Sequence, residues 1–139
     1  MRINDIMTKD VIKVDVQSNV QDVAKILREH NIGSVPVCRD NKVVGIITDR
    51  DIVIRAIADG NTSLTAGDIM TSNPVTCTSN TNVEDVSRIM SERQIRRIPI
   101  VDNSSLVGMV ALGDLAVEER SDRKAGEALK EISTPCCPE

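Results

Sequence analysis

The sequence predicts an α+β fold made of two copies of one β-α-β-β-α unit, and three observations predict it. Shifted by 63 residues, the chain overlays itself without a gap. Asp5-Ile-Met-Thr8 returns as Asp68-Ile-Met-Thr71, Asn19-Val-Gln-Asp-Val23 as Asn82-Val-Glu-Asp-Val86, and Pro36, Gly45 and Asp51 meet Pro99, Gly108 and Asp114. About fifteen of some fifty positions are identical at this one offset, which means duplication. In each copy the apolar spacing is helical once and then alternating, in the same order. The composition suits a paired core: 139 residues, 40% hydrophobic, without a single Phe, Tyr or Trp. One copy of about 60 residues would bury too little surface alone, so two copies packed sheet to sheet are expected to share one core.

The elements follow in order. Short strands are expected at 12–14 and 75–78. Ser18 and Thr81 each stand three residues before Gln21 and Glu84, a capping-box spacing that opens a helix. Val20, Val23, Ala24 and Leu27 then mark one helical face, as do Val83, Val86 and Met90 in the second copy, and these helices end near Asn31 and Gln94. Two strands follow each helix, at 35–39 with 43–48 and at 98–102 with 106–112. Asp40-Asn-Lys42 and Asn103-Ser-Ser105 supply the hairpin turns. A last helix spans 49–58, closed by Asp59-Gly60. Its counterpart at 114–120 continues, with or without a break, to Ile132. The copies are bounded as 2–60 and 66–118, and 119–139 is a C-terminal helix with a disordered tail.

Composition excludes several functions. The net charge of −4 disfavours duplex nucleic acid, and the absence of aromatic rings removes the stacking platforms that hold single strands. For the same reason a nucleobase could lie only between aliphatic side chains, reading backbone groups. The opening Met1-Arg-Ile-Asn-Asp-Ile-Met lacks the apolar run of a signal peptide, and no stretch approaches the roughly 20 apolar residues of a membrane helix. A soluble cytoplasmic protein is expected. Cys38 and Cys77 fall in apolar strands as buried thiols, and the adjacent Cys136 and Cys137 lack both C-x-x-C spacing and easy disulfide geometry. His30 is the only histidine, so no two-histidine metal site can form. No Gly-x-Ser-x-Gly elbow or P-loop occurs; neither catalysis nor a metal is expected.

Gly45-Ile-Ile-Thr-Asp-Arg-Asp51 resembles the G-h-h-[S/T]-x-x-D signature of CBS domains. The D-I-M-T openings, Ile32-Gly-Ser-Val-Pro-Val37 and Ile95-Arg-Arg-Ile-Pro-Ile100 extend the resemblance over roughly residues 2–118. It implies a CBS pair, or Bateman module: two units related by pseudo-twofold symmetry, two nucleotide clefts between them, and often a disc-shaped homodimer. The ligands implied are AMP, ADP, ATP or S-adenosylmethionine, bound to regulate an attached or partner protein, with no cofactor required.

The chemistry of the residues fits. A carboxylate at Asp51 can accept both hydroxyls of a ribose diol. The hydroxyl of Thr48 and nearby N–H groups can meet a phosphate at the helix start. Ordinary helix capping is the competing role for both. Carried over by position, the resemblance groups Thr48 and Asp51 with Thr71, Pro74, Val75, Thr76, Ile95, Arg96 and Arg97, the two arginines meeting phosphate. The second cleft would join Asp114 to Thr8, Val11, Ile12, Lys13, Ile32, Gly33 and Ser34. It departs from the signature, with Ala111 at the hydroxyl position and Lys13 as its nearest cation. The two sites are therefore expected to be unequal. The leading reading is a stand-alone sensor of an adenosine-containing ligand that signals to a partner; the alternative is a ligand-independent dimerisation scaffold with degenerate clefts. In the tail, Ala125, Ala128, Leu129 and Ile132 form an apolar stripe that could dock on the fold or on a partner.

Overall fold

The computed structural model describes residues 1–118 and 122–134. The chain folds as two compact units that do not follow the repeat boundaries: one is Ile12–Pro74, the other Met1–Val11 with Val75–Glu139. The opening segment of each copy is thus built into the unit that holds the rest of the other copy.

In the first of these units, β1 (Val14–Asp15) runs parallel to β2 (Ser34–Arg39), which forms a hairpin with β3 (Lys42–Thr48). Between β1 and β2 lies α1 (Val20–His30). Its N-cap is Asn19, whose Oδ1 accepts the Gln21 N–H at 2.8 Å, so the cap sits one residue beyond the expected Ser18. Asn31 closes α1 in the left-handed conformation, φ 52°. Helix α2 (Asp49–Ile52) follows β3 and widens into a π turn over Val53–Ile57, with the Ala58 N–H reaching the Val53 carbonyl. Beyond Gly60, α3 (Ala66–Ile69) and β4 (Thr71–Ser72) belong by sequence to the second copy, yet β4 pairs with β3, Thr71 opposite Ile46.

The other unit repeats the scheme. Helix α4 (Val83–Arg93) is N-capped at Asn82 and ends on a left-handed Gln94; β5 (Arg97–Asp102) and β6 (Ser105–Ala111) form the hairpin, and α5 (Leu112–Val117) follows. The expected strand at 75–78 reduces to one parallel bridge between Cys77 and Ile100. Here Thr8 of the first copy takes the place of β4, exchanging both backbone bonds with Met109 at 2.9 Å. Helix α5 ends where Glu118 turns extended, and α6 (Asp122–Ser133) packs on α4 and α5 through buried Ala125 and Ala128. Leu129 of the expected stripe is 47% exposed. Both hairpin turns place two successive residues at positive φ, Asp40 and Asn41, then Asn103 and Ser104, which matches the twist of paired strands. Both hairpins carry a bulge at equivalent places, Val37/Cys38 and Ile100/Val101.

The shared core expected from the sequence is instead two clusters, one in each unit. Val23, Val35, Val37 and Ile47 centre the first, completed by Ala66 and Ile69 from the second copy. Val86, Met90, Ile98, Ile100 and Val110 centre the other, completed by Ile3 from the first copy. The exchange also accounts for the two signature glycines. Met70 lies over Gly45 and Met7 over Gly108, so closely that a β-carbon at either glycine would fall within 2.5 Å of a sulfur, at 2.3 and 2.4 Å.

Candidate functional site

The first copy's signature sits where β3 runs into α2. Thr48 is the N-cap: the Asp51 N–H donates to its Oγ1 at 3.1 Å, and the Thr48 N–H donates to Asp51 Oδ2 at 2.9 Å. The two candidate ligand residues therefore hold each other in a reciprocal cap. This leaves the second carboxylate oxygen of Asp51 facing Arg55, Oδ1 to Nε 3.9 Å, with the Asp51 side chain 15% exposed. The start of β2 lies alongside. Ser34 pairs with Thr48 in register, and the Asp49 N–H donates to the Gly33 carbonyl at 2.9 Å. Ser34 Oγ is buried and has no hydrogen-bond partner among the described residues. A buried hydroxyl without a partner costs free energy unless something else supplies the bond.

The second copy's signature is built alike with different side chains. The Ala111 N–H donates to Asp114 Oδ2 at 2.8 Å, but the methyl group of Ala111 cannot return the bond. Arg97 pairs with Ala111, and the Leu112 N–H donates to the Arg96 carbonyl at 2.8 Å. Both arginines are exposed, and neither has an ion-pair partner among the described residues. A groove of about 580 Å³ opens here, with Arg96, Arg97, Ala111 and Gly113 on one side and Gly126 and Leu129 of α6 on the other.

The register gives each signature neighbours within its own copy, beside the grouping that the resemblance implies. Arg96 and Arg97 are strand neighbours of their own copy's Ala111 and Leu112, and Gly33 and Ser34 are neighbours of Thr48. A two-residue turn makes this unavoidable, because the residues entering one strand of a hairpin lie opposite those leaving the other. The Lys13 Nζ donates to Asn41 Oδ1 in the β2–β3 turn, at the far end of the hairpin from Gly33 and Ser34. Thr71 is exposed and held by β4, Pro74 and Val75 are half-buried, and Thr76 is exposed. Ile12 and Ile95 pack on the edges of their respective cores. Arg55 was missed by sequence reasoning; a basic residue one helical turn after a candidate acid was the available signal.

Cys38 and Cys77 are buried and unbridged, and burial pushes both thiols above their usual range. Cys136 and Cys137 lie outside the described residues. Among the described residues no group of three or more His, Cys, Asp or Glu could hold a metal ion, and no helix is long and apolar enough to cross a membrane.

Comparison with known proteins agrees with this geometry. The family model described as CBS domain matches twice, at residues 3–57 and 66–119. The CBS domain-containing protein YhcV of Bacillus subtilis is 42% identical over 132 residues, covering 94% of each chain. Among solved structures, the CBS domain pair of protein MJ0100 in complex with 5′-methylthioadenosine and S-adenosyl-L-methionine is 34% identical. It has a TM-score of 0.75 over 84% of this chain and 97% of that one. CBSX2 in complex with AMP is 26% identical, with a TM-score of 0.73 over 96% and 98%.

Proposed function

The chain belongs to the CBS domain family, and from that premise we propose that it is a regulatory module that binds an adenosine-containing ligand and signals to a partner protein. The observation that carries this reading is the unpartnered hydroxyl of Ser34 beside the Thr48–Asp51 cap. A ribose or phosphate oxygen there would give Ser34 its missing bond, while Asp51 keeps acceptor capacity after the Thr48 N–H is served. The ligands named for the MJ0100 pair and CBSX2, S-adenosylmethionine, methylthioadenosine and AMP, share the adenosine that such a site would read. ADP and ATP fit the same chemistry. The module acts by binding rather than catalysis. Its two buried free thiols suit a reducing cytoplasm. Its output goes to a partner protein, and Val53, Ile54 and Ile57, between 47% and 59% exposed on one short stretch, supply an apolar face for homodimerisation.

The two copies divide the recognition groups. The first offers two hydroxyls and an acid, Ser34, Thr48 and Asp51. The second offers two cations and an acid, Arg96, Arg97 and Asp114, with the hydroxyl position lost to Ala111. That loss favours a second reading, a ligand-independent dimerisation scaffold. A thermal-shift screen with adenosine, AMP, ADP, ATP, S-adenosylmethionine and NAD decides between them. A ligand at about 100 times its Kd stabilises the folded state by about 2.7 kcal/mol. The binding reading expects a shift with at least one adenosine compound that Asp51→Ala or Ser34→Ala diminishes. No shift at millimolar concentration with any of them leaves the scaffold.

A further inference from the structure

We propose that Arg55 is a positioning residue that couples the carboxylate of Asp51 to the segment running from α3 into β4, a coupling that among the described residues is found in the first copy only. The inference rests on the reading of Asp51 as a ligand acceptor and adds the route by which its occupancy is felt elsewhere. Arg55 stands one turn after Asp51, inside the π turn of Val53–Ile57. Its Nη1 donates to the carbonyls of Ile69 at 2.9 Å and Met70 at 3.3 Å, and its Nε lies 3.9 Å from Asp51 Oδ1. One guanidinium thus serves both ends of a bridge.

Each end matters for a physical reason. The carbonyls of Ile69 and Met70 close the four-residue α3, where a helix leaves acceptors without partners; a guanidinium supplies the bonds and its charge suits a helix C-terminus. Met70 is the side chain that covers Gly45, and Thr71 next to it pairs with Ile46. A shift of Arg55 is therefore transmitted to the residues that join β4 to β3. At the other end, Asp51 Oδ2 is committed to the Thr48 N–H, so a ligand diol must use the face of the carboxylate that Arg55 now attends. The contact at 3.9 Å is too long for a hydrogen bond. Binding a diol can either tighten it, by fixing the carboxylate, or displace it.

Among the described residues the second copy shows no counterpart of this bridge. The residue 63 positions after Arg55 is Glu118, whose carboxylate cannot donate to carbonyls. Helix α5 ends at Val117, where Glu118 turns extended. Duplication supplied the same acid twice, and among the described residues one copy ties it to the exchanged segment.

The test measures adenosine affinity by calorimetry, and amide hydrogen exchange over 66–72, in wild type, Asp51→Asn, Arg55→Gln, Arg55→Lys and the double variant Asp51→Asn/Arg55→Gln. A residue that merely caps α3 would change exchange in every state alike and leave the two substitutions additive. Coupling expects adenosine to change exchange over 66–72 in wild type but not in Arg55→Gln. It expects Arg55→Gln to shift affinity by about threefold to tenfold, and the effects of Asp51→Asn and Arg55→Gln to be non-additive. Arg55→Lys, which keeps the charge but loses the fork, recovers part of the effect. Additive effects, or exchange that responds to adenosine equally without Arg55, overturn the proposal. If adenosine does not bind wild type, the adenosine reading fails, and the coupling is then judged without ligand. Asp51→Asn alone must still alter exchange over 66–72 when Arg55 is present and not when it is Gln; equal responses sink it.

Discussion

Replacing each signature glycine by alanine tests the exchange of opening segments, because the two sites differ in what the added methyl group meets. At Gly45 the new β-carbon would lie 2.3 Å from Met70 Sδ, 2.8 Å from Met70 Cγ and 2.9 Å from the Thr71 carbonyl oxygen. Rotating Met70 relieves the first two contacts but not the third, which is backbone that pairs with Ile46. At Gly108 the contacts are 2.4, 3.0 and 3.1 Å, all to the side chain of Met7, whose far end can swing. Overpacking a buried site costs about 1–3 kcal/mol. Neither glycine has a positive φ, so alanine also gains about 0.4–1 kcal/mol from the restricted unfolded chain. Gly45→Ala should therefore lose about 2 kcal/mol net and Gly108→Ala about 0–1 kcal/mol. Urea unfolding with matched m-values measures the difference, supported by melting temperatures, where about 1 kcal/mol corresponds to roughly 4 °C at this size. A double-mutant cycle sharpens it. In a Met7→Ala background the cost of Gly108→Ala should vanish, whereas Met70→Ala should remove only part of the cost of Gly45→Ala. Equal costs at the two glycines, or costs indifferent to the methionines, would refute the packing of Met7 and Met70 over them.

Three further outcomes follow from particular bonds. Asn19→Ala, which removes the acceptor for the Gln21 N–H, should cost about 1 kcal/mol in urea unfolding, while Ser18→Ala costs a few tenths; the reverse order would restore Ser18 as the cap. Asp102 accepts the Ser79 hydroxyl at 2.6 Å and the Ser79 N–H at 3.1 Å, and these bonds hold its carboxyl below the usual carboxylate range. Its stabilisation is present above the ordinary carboxylate pKa and is lost as the pH falls through the lower, folded value. The melting-temperature gap between wild type and Ser79→Ala should thus be open at pH 6 and narrow towards pH 3, and a gap that widens in acid contradicts this. In a Cys136→Ser/Cys137→Ser variant at pH 7, Cys38 and Cys77 should react with a disulfide reagent only as fast as the fold opens, since burial keeps both as neutral thiols. Complete reaction within the mixing time would show that they are accessible.

What the sequence made legible was whatever is encoded locally. The helical stripes of α1 and α4, the hairpin turns and the helix ends at Asn31 and Gln94 all rest on spacing or on residues that tolerate positive φ, and they stand where the sequence puts them. The exchange of opening segments was hidden because Asp5-Ile-Met-Thr8 is continuous with its own copy, and nothing in its spacing says which hairpin it joins. The neighbours of each signature within its own copy were legible only in part. With turns at Asp40-Asn41 and Asn103-Ser104, counting back along the strands brings Ser34 opposite Ile47 and Arg97 opposite Val110, and the bulges at Val37/Cys38 and Ile100/Val101 move the partners on by one, to Thr48 and Ala111. Within each copy the polar groups differ: the first has the hydroxyls and the Arg55 bridge, and the second has the two cations. On the proposed reading a nucleoside without phosphate draws on Ser34, Thr48 and Asp51, and a phosphate calls in addition on a cation. Comparing adenosine with AMP in Ser34→Ala and in Arg96→Gln/Arg97→Gln separates these demands. Ser34→Ala should weaken both ligands, and the arginine pair only AMP; a loss of adenosine binding on removing the arginines would show that the division by copy is wrong.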